Sequence, residues 1–193
     1  MTYIVQSTEK VKASGADFET KAMLYLMNCR EDSCEIFYFV VDFFNDVTGL
    51  NKGANKTWDV QSKAKSNSSP KSIGRELVTL FKNYMSDLKF DYLILFLGGV
   101  SDTLRINGKL NIFDIGNVTP ESQVKIKEGL FEEGKAKTYI NNDWLTDENF
   151  RSFISCVTFV NQINYSSNNP SHILNVKDNS KFCGLLKKLM IFN

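Results

Sequence analysis

The chain has little of what thiol, zinc and membrane sites require. Its 193 residues include one histidine, His172, and four cysteines, Cys29, Cys34, Cys156 and Cys183. None of the cysteines forms a CxxC pair and the histidine is distant from all of them in sequence, so a structural zinc site is not expected. Serine or cysteine nucleophile schemes lack a histidine in any known motif. No apolar run approaches the roughly 20 residues needed to span a bilayer. The longest, Tyr92 to Leu97, has the length of a buried strand. With no secretory signal in the polar opening residues, reduced thiols in a cytoplasm and no membrane association are the expectation. The net charge is only +1, which excludes a protein that coats nucleic acid through overall basicity. Gly98-Gly99 lies in no GxxxxGK[ST] frame, so it is read as a strand end and not as a phosphate loop.

What is present is enough apolar sequence, 42% of residues, for one sizeable core. The expected organisation is one domain over 1–193, with a core at about 12–100 and a helical remainder at 101–193. Asp17 to Cys29 reads as a helix, with Ser14-Gly15 at its start. Glu35 to Phe44 is β-branched and aromatic, a strand. Asn45 to Leu50 continues that strand or forms its bent end. After turn-forming Asn51 to Asn55, Thr57 to Lys63 is the return strand of a hairpin. Ser69-Pro70 caps a helix whose apolar stripe is Ile73, Leu77, Leu80, Phe81, Tyr84 and Leu88. Asp91 to Leu97 is a central strand buried on both faces, and Arg105 to Phe113 a short strand or hairpin. Thr119-Pro120 opens a helix carrying Val124, Ile126, Leu130 and Phe131. Thr146-Asp147-Glu148 opens another, carrying Phe150, Phe153, Ile154, Val157 and Val160. A loop at Tyr165 to Pro170 precedes a last helix near Ser180 that ends in apolar Leu189 to Phe192. Either that tail folds back on the domain, or the natural chain is longer and this is its N-terminal part. The fold class is α/β: a small mixed sheet flanked by helices.

Chemistry concentrates in the third of these segments. Residues two apart in a strand share a face, so Asp59, Gln61 and Lys63 point together, opposite Trp58, Val60 and Ser62. If the preceding strand pairs antiparallel, Asp46 reaches the same edge, and Glu19 lies on the first helix. Between Asn51 and Ser72, five lysines (Lys52, Lys56, Lys63, Lys65 and Lys71) accompany a single acid, Asp59. Such a field suits a phosphate backbone, although taken alone a solvated surface is the better reading. Trp58 and the aromatics Phe37, Tyr38, Phe39, Phe43 and Phe44 read as core sooner than as base-stacking platforms. His172 is assigned no role.

The succession Ser14-Gly15-Ala16-Asp17-Phe18-Glu19, Asn45-Asp46-Val47 and Val60-Gln61-Ser62-Lys63, followed by a helix and an apolar strand, resembles the PD-(D/E)xK nuclease superfamily. It is the variant in which Gln replaces the second acid. The nearest likeness is to the dsDNA endonuclease domain of bacterial anti-phage effectors, akin to Mrr-like restriction nucleases, and it covers roughly Lys12 to Gly99. The resemblance implies a restriction-endonuclease-like core. It implies Asp46 as metal-binding aspartate, Gln61 in place of the second acid, Lys63 as catalytic lysine and Glu19 as a helix carboxylate assisting the metal. A gapped reading exchanges Asp42 and Asp46, and the Asn-Asp-Val context favours Asp46. Asp59 has no role in the family.

The expected activity is therefore Mg²⁺- or Mn²⁺-dependent hydrolysis of DNA in anti-phage defence. Lys52, Lys56, Lys65 and Lys71 would contact double-stranded DNA. A regulatory or defence-system protein would act as gate, and cutting two strands invites a homodimer. The alternative is a nuclease-fold module with a weak or lost site, used for DNA binding or partner assembly.

Overall fold

The computed structural model describes residues 13–28 and 30–162. The sequence-based loop at Tyr165 to Pro170, the helix near Ser180, His172, Cys29 and Cys183 lie outside these residues.

Helix α1 is Ala13–Asn28 and packs Phe18, Ala22, Tyr25 and Leu26 onto one face of a mixed six-stranded sheet. The strands are β1 Ile36–Val41, β2 Val47–Asn51, β3 Thr57–Lys63, β4 Tyr92–Leu97, β5 Ile112–Phe113 and β6 Val157–Asn161. Their order across the sheet is β1-β2-β3-β4-β6-β5. β1, β2 and β3 are antiparallel neighbours, β3 and β4 run parallel, as do β4 and β6, and β5 closes the far edge antiparallel. The other face is covered by α2 Pro70–Glu76, α3 Val78–Tyr84, α4 Pro120–Ala136 and α5 Asp147–Ser155. The chain is thus α/β, a mixed sheet with five helices around it. Among the described residues, no helix is long and apolar enough to cross a membrane.

β4 is the strand its composition demands. Leu93, Leu95 and Leu97 enter the core beneath α2–α5, while Ile94 and Phe96 enter the core beneath α1. β3 is also as read from sequence, and its turn with β2 is locked by Asn51, whose Oδ1 accepts from the backbone N–H groups of Asn55 and Lys56. Ser69 caps α2 by accepting from Ser72 N–H, with Pro70 in the first turn.

Four expectations are corrected. The run from Glu35 to Leu50 is two strands and not one, because the chain reverses at 42–46. There Asp42 takes a left-handed conformation (φ 55°) and its N–H donates to Asp46 O (3.2 Å). The helix opened at Thr146 stops at Ser155, and Val157 and Val160 belong to β6. Their spacing continues the helical stripe by coincidence, while the β-branched run Val-Thr-Phe-Val fills the slot beside β4, so the second half is not simply helical. The helix from Pro70 is two short helices that meet at Leu77, and Leu88 lies beyond them and is exposed, as is Val124 on α4. Phe37, Tyr38 and Phe43 are not core: they are exposed on the edge strand and its turn, where α1 covers only one face, while Phe39 and Trp58 are buried.

α2 and α4 approach closely at two glycines. A Cβ on Gly74 would meet the Ile126 carbonyl oxygen, and one on Gly129 the Lys71 carbonyl oxygen. Backbone cannot retreat as a flexible side chain can. Gly74→Ala is expected to cost about 3 kcal/mol, lowering the thermal midpoint by on the order of 10 °C. An unchanged midpoint in calorimetry would mean that the helix pair is not packed this way.

Candidate functional site

β3 carries three polar residues on the face turned toward α2 and α3, and each meets one polar residue of those helices. Lys63 Nζ pairs with Glu76 Oε1 (2.9 Å). Thr79 Oγ1 donates to Gln61 Oε1 (2.8 Å). Asn83 Nδ2 donates to Asp59 Oδ2 (2.7 Å). Residues 76, 79 and 83 repeat at helical spacing, as residues 59, 61 and 63 repeat at strand spacing, and the two periods match into a polar seam between apolar neighbours.

The turn at 42–46 adds the remaining groups. In β2–β3 pairing Val47 lies opposite Val60, so one step further Asp46 lies opposite Gln61. Three donors converge on Asp46 Oδ2: Gln61 Nε2 (3.1 Å), Ser62 N–H (2.6 Å) and Ser62 Oγ–H (2.6 Å). Asn45 Nδ2 donates to Asp59 Oδ2 (2.6 Å). Asp46 and Gln61 are therefore brought together near the carboxyl end of β3, half-buried, and Lys63 follows on the same face, tied to Glu76.

The other sequence candidates sit elsewhere. Glu19 lines a shallow pocket with Thr20, Met23 and Val41, on the α1 side of the sheet. Val41 pairs with Val47, so Glu19 stands beside the same turn but outside the seam. The lysines do not form one patch. Lys52 and Lys56 lie at the start of β3, roughly 20 Å from Lys63 by strand rise. Lys56 is tied to Glu35 (2.6 Å) and sits over the rings of Trp58 and Tyr92. Lys65 is exposed in the loop after β3, and Lys71 pairs with Glu132 (3.0 Å).

Asp59 was read in the sequence as a face-mate of Gln61 with no family role, Asn45 only as the neighbour that gives Asp46 its motif context, and Glu76, Thr79 and Asn83 were not read at all. A partial signal existed for the helix trio: polar residues 76, 79 and 83 recur at helical spacing along one edge of the apolar stripe. Asp59 is the deepest charge. It has no exposed surface, and burial pushes its carboxyl up to about 7, opposed by the amides of Asn83 and Asn45 and by Lys82, while Asp46 adds to the rise. Burial likewise lowers the Lys82 ammonium, with Asp59 opposing. Asp59 Oδ1 has no hydrogen-bond partner among the described residues, nor has Thr48 Oγ1. The two residues are directly opposed in β2–β3 and share a face.

Asp46 and Gln61 Oε1 suit a magnesium-like cation better than a transition metal, because Mg²⁺ keeps several waters and needs only one or two protein carboxylates. Among the described residues, no three His, Cys, Asp or Glu side chains group to hold a metal. As folded, Gln61 turns its NH₂ toward Asp46 and its oxygen toward Thr79. A half-turn of the amide would present Oε1 beside Asp46, and the Thr79 hydroxyl, which both donates and accepts, permits either orientation. Comparison with protein-family models, curated proteins and solved structures finds no match to this chain.

The Asp59 environment makes stability depend on pH. The folded carboxyl holds its proton up to about pH 7, whereas the ordinary value is 3.8. Between those values the unfolded chain releases a proton that the folded chain keeps. The contribution of Asp59 to stability is therefore full below pH 4, is lost as pH rises to 7, and stays lost above, by on the order of 4 kcal/mol. Asp59→Asn, which keeps an accepting oxygen for both amides, is expected to remove this slope. Thermal melts between pH 4.5 and 8 that run parallel for variant and wild type would contradict the assignment.

Proposed function

We propose that the chain is a metal-dependent endonuclease module that hydrolyses DNA phosphodiester bonds. The observation that carries this reading is the contact of Asp46 with Gln61 toward the carboxyl end of β3, with Lys63 two residues further along the same face of the strand. The order α1, the strand preceded by Asp46, the strand with Gln61 and Lys63, helix, apolar strand also supports the resemblance to PD-(D/E)xK nucleases.

Asp46 and Gln61 Oε1 would hold Mg²⁺ or Mn²⁺, which when bound neutralises phosphate charge and lowers the pKa of a water. Lys63 orients that water or stabilises negative charge on the phosphorane-like transition state. Glu76 holds the Lys63 ammonium at the mouth of the seam. Lys65 and Lys71 are the lysines on the site's side that would meet a DNA backbone, and Lys52 and Lys56 would serve a longer footprint. Phosphate contacts carry no base information, so cutting would be unselective and would need a gating partner. A role in anti-phage defence, in a homodimer or with a regulatory protein, belongs to the same proposal.

One observation favours the second reading, a DNA-binding or assembly module without catalysis. Gln61 as folded offers Asp46 a donor, which occupies the carboxylate where a cation would bind. Supercoiled plasmid with Mg²⁺ or Mn²⁺ separates the two. On the nuclease reading wild type nicks, and Asp46→Ala and Lys63→Ala nick roughly 100-fold more slowly or not at all. Equal nicking by all three, or binding of DNA by all three with no nicking, would overturn it.

A further inference from the structure

We propose that Asp59 is a positioning residue for the Asp46 site, acting through Asn45 and Asn83. The inference rests on the metal-site reading of Asp46 and Gln61.

One oxygen, Asp59 Oδ2, accepts from two amides on different elements: Asn45 Nδ2 at 2.6 Å and Asn83 Nδ2 at 2.7 Å. Asn45 is the peptide neighbour of Asp46, in a turn whose Asp42 and Phe43 are exposed. The tether to Asp59 draws that turn down onto β3 and limits where the Asp46 carboxylate can stand. Asn83 lies one helical turn beyond Thr79, which bonds Gln61 Oε1. The same oxygen therefore registers α3 against β3 and sets the group that orients the Gln61 amide. The two residues that would ligate a cation reach the sheet by different routes, and Asp59 is where those routes join. Asp59 itself is fully buried, so it touches neither cation nor phosphate. A carboxyl group suits this place because a single oxygen offers two lone pairs to two donors.

The test is Mn²⁺ affinity of the full chain, measured by the loss of the free-ion paramagnetic resonance signal, with a thermal melt on every variant. Wild-type binding that Asp46→Ala abolishes is expected. Asn45→Ala is expected to melt cooperatively and to bind Mn²⁺ about tenfold more weakly, the usual effect of removing a group that orients a metal ligand. Asp59→Asn keeps the accepting oxygen and should stay within twofold of wild type. Ile140→Ala, a core truncation outside the seam, should lower the melt and leave affinity unchanged. If Asn45→Ala does not fold, Asn45→Ser, too short to reach Asp59, replaces it. Wild-type affinity in the folded Asn45 variant, or an equal loss in Ile140→Ala, overturns the positioning role while leaving the metal site standing. No Mn²⁺ binding by wild type, or binding that survives Asp46→Ala, overturns the metal-site reading and this inference with it.

Discussion

Asp59 stands in the middle of β3 with no exposed surface, held from one side by an amide of the β1–β2 turn and from the other by an amide of α3. A carboxyl in that position is unfavourable unless donors satisfy it, and burial of its charge is the reason its proton is retained far above the ordinary range. The two asparagines supply donors to one oxygen only. The other oxygen faces the same side as the unpartnered Thr48 hydroxyl of the opposed strand. The seam is therefore a place where polar contacts decide geometry, because a misplaced amide would leave a buried acceptor bare. The turn, the third strand and the helix are bound to one another through it.

The seam occupies a narrow position in a largely apolar interior. β4, next to β3, is leucine, isoleucine and phenylalanine on both faces, and the cores beneath α1 and beneath α2–α5 are built around it. Polar pairs continue along β3 from buried Asp59 through half-buried Gln61 to partly exposed Lys63. That gradient carries the chain of contacts from the interior to solvent at the strand's carboxyl end, beside the loop of Lys65. The proposed phosphodiester hydrolysis would use such a place, open to solvent at one end and held rigidly at the other. Ser62 contributes to the rigidity, since its backbone and hydroxyl both donate to Asp46.

Several elements were legible because local chemistry and tertiary environment agree there. β4 is an unbroken apolar run and is buried on both sides. β3 follows a turn whose asparagine closes it locally, and α2 has its serine cap and its proline. Agreement failed where a long-range partner overrode a local pattern. Val157 and Val160 extend a helical stripe by chance, and their β-branched side chains fit the vacant edge of β4. The reversal at 42–46 lies within a run that reads as one strand, and no glycine or proline marks it. The exposed Phe37, Tyr38 and Phe43 follow from β1 being an edge, which composition does not reveal.

For the candidate site, strand alternation alone was enough to align Asp59, Gln61 and Lys63, because the period of two is a property of the extended backbone. Asp46 was singled out by the resemblance to a nuclease family. The partners of these residues were decided only by tertiary structure. Glu76, Thr79 and Asn83 meet β3 because the β3–β4 crossover lays α2 and α3 across it, and Asn45 meets Asp59 because the chain reverses one residue before β2 begins. The five lysines cluster in one stretch of sequence, yet Lys52 and Lys56 lie at one end of β3 and Lys63 and Lys65 at the other, since an extended backbone separates what numbering places together. Strand and helix periods are local, and so is the list of groups they display. Which groups satisfy one another depends on packing between segments far apart in the chain.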